Sequence, residues 1–160
     1  MTPLPPDLVT RLAEGAGAPE GIHTVEALAD LWLADHRQAG ELREPPGDDD
    51  LPWSVDCVFE LDAYPELVWV FVLQVIARAE TRHQIGMLAA GALEDLIANH
   101  GATVIERIET EARRSPRFRY TLTGVWPQGN RGTAIWARIE AARIGAMETG
   151  FDAGGPLPPA

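Results

Sequence analysis

Residues 67–77 read LVWVFVLQVIA, and among these eleven side chains only Gln74 is polar. A run this apolar is stable in water only when it is covered. Two secondary structures compete for it. Val68, Val70, Val72, Val75 and Ile76 are β-branched and suit a buried strand. Against that, Pro65 and Glu66 make a good helix start, the exit ARAETR is rich in helix formers, and eleven residues exceed the usual buried strand. The reading is a central helix over residues 65–79, apolar all round and therefore surrounded by other helices. The run falls far short of the roughly 20 residues needed to cross a bilayer, and Glu66 and Arg78 close it at both ends. No membrane span is expected.

Upstream of this run, PWSVDCVFELDAY at 52–64 predicts a short helix ending near Ala63, with Trp53, Val58 and Leu61 on one side. Thr24 is a good N-cap, and Val25, Leu28, Leu31 and Trp32 follow at helical spacing, which predicts a helix over about 24–38. Downstream, residues 83–99 repeat apolar side chains at Ile85, Leu88, Ala92, Leu93, Leu96 and Ile97, with Gly86 and Gly91 as interruptions that leave Ala89 as an alternative start. Asn99, His100 and Gly101 form a glycine-type helix end, and Thr103 with Glu106 forms a capping box for the next helix. Ser115 and Pro116 open a further element. Phe118, Leu122, Val125 and Trp126 fit a helix there, whereas RFRYTLT at 117–123 alternates like a strand, and local pattern leaves both open. Thr133 caps a last helix through Ile135, Trp136 and Ile139 to about Gly145.

The fold class is therefore all-α: one compact domain of six to seven helices around the central one, in which successive helix pairs share the logic of α-solenoids. The helical domain spans residues 24–145 and contains an acidic, Pro-rich loop at 39–53. Residues 1–23 and 146–160 are dense in Pro and Gly and read as a flexible arm and a disordered tail.

The net charge of −11 disfavours phosphate backbones, and its distribution is uneven. Residues 1–66 carry 3 Arg against 15 Asp and Glu, and residues 67–160 carry 10 Arg against 9. All thirteen basic residues are Arg. Without lysine, neither a Walker A phosphate loop nor Schiff-base chemistry is available in its usual form. Cys57 is the only cysteine, so no intrachain disulfide can form. The opening MTPLPPDLVT has neither a basic nor an apolar targeting region, and a reducing cytoplasm is the expected compartment.

Residues 88–136 contain a Leu93–Leu96 helix segment after Gly91, the His100–Gly101 turn, the Ile-Glu-rich stretch 105–112, Pro116–Arg119 and Gly124–Trp126. In this block the chain resembles an uncharacterised bacterial family of small all-helical domains, over roughly residues 52–142. The family often carries Pro where this chain has Ala92. The resemblance implies helix at both ambiguous stretches and brings no activity, cofactor or site residues with it.

Chemistry-bearing residues are sparse. Ser54 and Ser115 lie in no nucleophile elbow, and Ser115 fits an N-cap. Glu80 and His83 make a single Glu-x-x-His, where a di-metal helix site needs two. No metal and no cofactor is implied. The best polar constellation is Glu94, Asp95, His100, Arg117 and Arg119, which would make a cleft with an acid, a base and anion-binding donors, or else pair internally. The leading expectation is a non-catalytic protein-binding module whose acidic front, residues 24–66, meets a basic partner, in the manner of an immunity or antitoxin-like inhibitor. The rival is a small enzyme or small-molecule-binding protein using Glu94, His100 and Arg117. Nucleic-acid binding through Arg113–Arg119 ranks last, and homo-oligomerisation is compatible with either of the first two.

Overall fold

The computed structural model describes residues 1–13, 19–37, 51–145 and 156–160. The described residues form α1 (Pro6–Ala13), α2 (Val25–Asp35), α3 (Trp53–Glu60), α4 (Pro65–Arg78), α5 (Arg82–Leu88), α6 (Glu94–Arg114), α7 (Pro116–Leu122) and α8 (Ala134–Ala142). A π-helical turn at Ala89–Leu93 joins α5 to α6, so residues 82–114 are one continuous helical path. The described residues contain no strand, and their one β-bridge pairs Pro3 with Thr24.

The apolar run is a helix, with Pro65 in its first turn. Val68, Trp69, Phe71, Val72, Val75 and Ile76 are buried, and Leu67, Val70 and Leu73 pack half-buried against the same core. Helix α4 touches α2, α5, α6 and α7, so burial overrides the strand preference of its β-branched residues. The strongest pairings, α2 with α4 and α6 with α8, skip an element, and the packing is centred on α4 rather than built from stacked successive pairs.

The caps are local. Thr24 Oγ1 accepts from Ala27 N–H, Ser115 Oγ from Phe118 N–H and Thr133 Oγ1 from Trp136 N–H. With Ser115 capping it, the 117–123 stretch is helix α7 as far as Leu122. Thr81 and Gln84 make a reciprocal capping box at α5. Gln84 is also buried, and its Nε2 donates to Leu33 O at 2.8 Å, which fixes the start of α5 against the end of α2.

Three expectations need correction. Residues 1–13 are not a loose arm, because Leu4 and Leu8 are buried in the core and Thr2 N–H donates to both carboxylate oxygens of Glu26. The last five residues are also docked, with Leu157 against the core and Arg117 Nε donating to Pro158 O. Residues 14–18, 38–50 and 146–155, which include most of the acidic loop and the rest of the tail, lie outside the described residues. Finally, the break expected at Asn99–Gly101 is present as a kink where two helical pieces meet, and the helix does not stop there for a separate turn. It bends at His100 (φ −130°, ψ 15°) and continues to Arg114, with Thr103 inside it rather than at a cap.

Tertiary packing explains the bend. A Cβ on Gly101 would lie 2.9 Å from Ile135 Cγ2, so this glycine gives α8 room to approach α6. Arg138 on α8 then grips Glu109 on α6 with two hydrogen bonds of 2.7 and 2.8 Å. In a helix, Gly→Ala gains roughly 1 kcal/mol of propensity, but overpacking against a χ1-stiff isoleucine costs about 1–3 kcal/mol. Gly101→Ala is therefore expected to destabilise the wild-type chain and to stabilise the Ile135→Ala variant by about 1 kcal/mol. Urea unfolding of the double-mutant cycle measures this, and additive effects would show that no close approach exists.

Candidate functional site

The structure does not bring the five polar residues together. Glu94 is buried, accepting from Trp126 N–H at 2.8 Å and from Gln128 Nε2 at 2.7 Å, and so holds the turn after α7. His100 Nε2 donates to Asp62 O at 2.9 Å, tying the bend in α6 to the 3₁₀ turn Leu61–Ala63. Arg117 Nη1 donates to the Ile76 and Ala79 carbonyls, which satisfies the end of α4. Arg119 Nη1 donates to Ala112 O. Of the neighbouring arginines, Arg113 bonds Thr110 and Arg114 pairs with Glu111. Only Asp95 lines the main cavity.

That cavity is a groove of about 670 Å³ between α3 and the helical path through the π-turn. Buried Trp32 and Val68 lie in its lining, and Leu51, Phe59 and Met87 at its edge are 39%, 56% and 45% exposed. The backbone creates the space. Gly91 is non-helical (φ −122°, ψ −109°), the π-turn carries the chain outward there, and no atom approaches where a Gly91 side chain would begin.

Asp62, Asp95 and Asn99 give the apolar lining one acidic region. Asn99 Nδ2 donates to Asp62 Oδ2 at 3.1 Å. Asp62 Oδ1 is itself buried with no hydrogen-bond partner among the described residues, and His100 Nε2 lies 3.5 Å from it. Burial pushes the Asp95 carboxyl above its ordinary range, the charges of Asp62 and Glu94 add to that, and a hydrogen bond from Gln128 opposes it. Asp95 thus faces apolar surroundings with less compensation than a carboxylate usually receives, and Asp62, its side chain 41% exposed, lies beside it.

Sequence reasoning missed Asp62, Phe59 and Met87. Nothing local marks them, because they converge only once the 82–114 path has bent. The Gly91 interruption was the one available signal. Cys57 behaves as its apolar neighbours imply: burial pushes its thiol up to about 12, which makes it inert at neutral pH. Among the described residues, no group of three or more His, Cys, Asp or Glu could hold a metal ion, and no helix is long and apolar enough to cross a membrane.

A family model described as a family of unknown function, DUF6869, matches residues 41–147. The chain belongs to this family. The match contains the acidic region and the exposed edge of the groove, whereas α1 and α2 lie outside it. It also contains the 52–142 block on which the resemblance rested. No curated protein and no solved structure matches the chain.

His36 closes the other side of the groove. Its ring stacks on Trp32 at 3.8 Å between centroids, and its Nδ1–H donates to Trp32 O at 2.8 Å. Burial lowers its pKa from about 6.5, the charge of His83 adds to this, and the Trp32 carbonyl and Asp35 oppose it. The folded state therefore binds this proton more weakly than the unfolded chain. The stability it contributes is present above about pH 6.5 and is lost as the pH falls towards the folded-state value. Wild-type protein is expected to lose melting temperature between pH 7 and 5, with a smaller loss in His36→Gln. Parallel calorimetric profiles for the two proteins would remove His36 as the cause.

Proposed function

We propose that this protein is a non-catalytic binding module of the cytoplasm, and that its groove receives an apolar segment of a basic partner protein. One cationic side chain of that segment would meet Asp62 and Asp95. The observation that carries this reading is the joining of an exposed apolar edge to an acidic corner made of Asp95, whose charged form burial disfavours, and the half-exposed Asp62. A cation placed there would pair with the exposed side of the Asp62 carboxylate and favour the ionised form of Asp95 at the same time. The apolar edge would lose its contact with water.

The charge distribution supports the same partner. The acidic first 66 residues would speed encounter with a basic protein and discriminate against acidic ones. An inhibitor that masks a basic enzyme, as immunity and antitoxin proteins do, is the specific form we favour. The rival enzyme built on Glu94, His100 and Arg117 has less support, since each of these side chains holds a different structural element. A second reading has one observation in its favour: about 670 Å³ is also a usual size for a small-molecule pocket. Its ligand would be an apolar amine.

Tagged protein incubated with extract of its own host at low salt is expected to retain one basic protein in stoichiometric amount. That protein should leave with added salt and be absent from the Met87→Asp variant. Asp62→Asn should weaken the complex by about fivefold, as expected when one member of a partly exposed charge pair is removed, and exposed Arg114→Ala should leave it unchanged. Retention that ignores Met87→Asp and Asp62→Asn would overturn the proposal. Recovery of the protein alone, with a melting-temperature rise on adding an apolar amine, would favour the second reading.

A further inference from the structure

Away from the groove, the chain holds its own last residues in a notch formed by α5, α7 and the end of α4. The hydrogen bonds from these helices to the docked residues 156–159 all run in one chemical direction. Arg117 Nε donates to Pro158 O at 2.8 Å, Arg117 N–H to Pro159 O at 3.0 Å, and Arg82 Nη2 to Pro156 O at 3.2 Å. Leu157, the one large side chain of the segment, packs half-buried on the core. The arginines are held from behind. Arg117 is anchored on the Ile76 and Ala79 carbonyls, and Arg82 donates to Tyr120 Oη at 2.7 Å with its guanidinium 5.1 Å from that ring's centroid.

This chemistry selects a particular ligand. Proline has no backbone N–H, so a Pro-Leu-Pro-Pro segment presents carbonyl acceptors and almost no donors. A notch that supplies donors pairs fully with such a segment. An ordinary extended segment would bring amide donors to a notch whose hydrogen bonds to the docked residues are all donated by arginine N–H groups, and unmade bonds of that kind are costly when covered. Proline also restricts the free segment, so less conformational freedom is lost on docking. The docked residues 156–159 are PLPP, and the same four letters occur at residues 3–6, where Leu4 is buried beside α2.

We propose that the Arg82, Arg117 and Tyr120 notch is a recognition site for a Leu-Pro-Pro segment of a partner protein, and that the chain's own residues 156–160 occupy it as a competing ligand in cis. Among the described residues the anchorage of residues 156–160 comprises three hydrogen bonds and one half-buried leucine, with Pro156, Pro159 and Ala160 exposed, which suits exchange. A tethered segment acts at an effective concentration of about millimolar, which masks the site from a dilute partner until the tail is displaced. The site is distinct from the groove, and its ligand needs no charge.

The probe is a fluorescent hexapeptide of sequence GPLPPA, with GPDPPA as its control, titrated into full-length protein and read by anisotropy. Leu157→Asp in the full chain weakens the tail and should bind GPLPPA at least about tenfold more tightly than wild type. Leu157→Ser serves as a second tail variant. Adding Arg82→Gln to either should abolish binding while circular dichroism and melting temperature stay near wild type. GPDPPA should not bind. Equal affinity of wild-type and tail-weakened chains for GPLPPA, binding that ignores Arg82→Gln, or no binding by either folded tail variant would each overturn the proposal. A wild-type dimer in sedimentation that dissociates on Leu157→Asp would overturn the partner assignment in favour of tail exchange between two copies.

Discussion

Everything in this fold answers to the fact that α4 is apolar on nearly every face. An amphipathic helix needs a partner on one side only, and the rest of the chain is then free to vary. Helix α4 needs more cover than that, and α2, α5, α6 and α7 supply it, leaving a stripe of Leu67, Val70, Leu73 and Gln74 half-buried and Ala77 exposed. Arginines of other helices bond it near its two ends. Near the start, Glu66 takes both its hydrogen bonds from Arg107 of α6, whose guanidinium also lies 4.8 Å from the Trp69 ring centroid. At the finish, Arg117 of α7 satisfies the carbonyls of Ile76 and Ala79. Other arginines of the second half are engaged elsewhere, Arg138 by Glu109, Arg114 by Glu111, Arg143 by Glu140 and Arg119 by Ala112 O, which accounts for much of their number without invoking an anion-binding surface.

Covering a straight helix with the long path 82–114 requires that path to bend, and it bends twice. The π-turn at Gly91 takes it around one side of α4, and the break at His100 turns it towards α8. Both irregular points have partners that hold them. His100 is fastened to Asp62 O, and Gly101 beside it admits Ile135. The groove is a by-product of the first bend, since the outward excursion at Gly91 leaves α3 and the π-turn too far apart for their side chains to close the gap. The site thus depends on the same constraint as the core.

Those bends also explain what could be read from the sequence. The apolar run, the threonine and serine caps at 24, 115 and 133, and the helical spacing of α2 and α8 are local signals, and the structure uses each one as it stands. Asn99, His100 and Gly101 are a local signal too, but here it competes with a contact to Ile135, 34 residues away in the chain, and the contact wins. The same kind of competition decides the termini. Pro and Gly density near residues 1–23 argues for a loose arm, yet Leu4 and Leu8 find buried places that residue density alone cannot disclose. The five-residue polar cluster failed for a related reason. Closeness in sequence between Glu94 and Arg119 covers a bend, a helix end and a turn, and Glu94, His100, Arg117 and Arg119 each bond a backbone group of a different segment while Asp95 faces the groove.

The two proposed sites follow opposite rules of pairing, and this keeps them separate. In the groove the acidic residues Asp62 and Asp95 provide acceptors and want a cation, whereas the notch offers N–H donors and wants a segment that has none to offer in return. A basic segment suited to the groove would bring its positive charge towards Arg82 and Arg117, where like charges repel. A Leu-Pro-Pro segment in the groove would bring no cation to Asp62 or Asp95. Neither ligand satisfies the other's site, so cross-binding is disfavoured by unmade bonds on one side and by repulsion on the other, whatever apolar area either ligand buries.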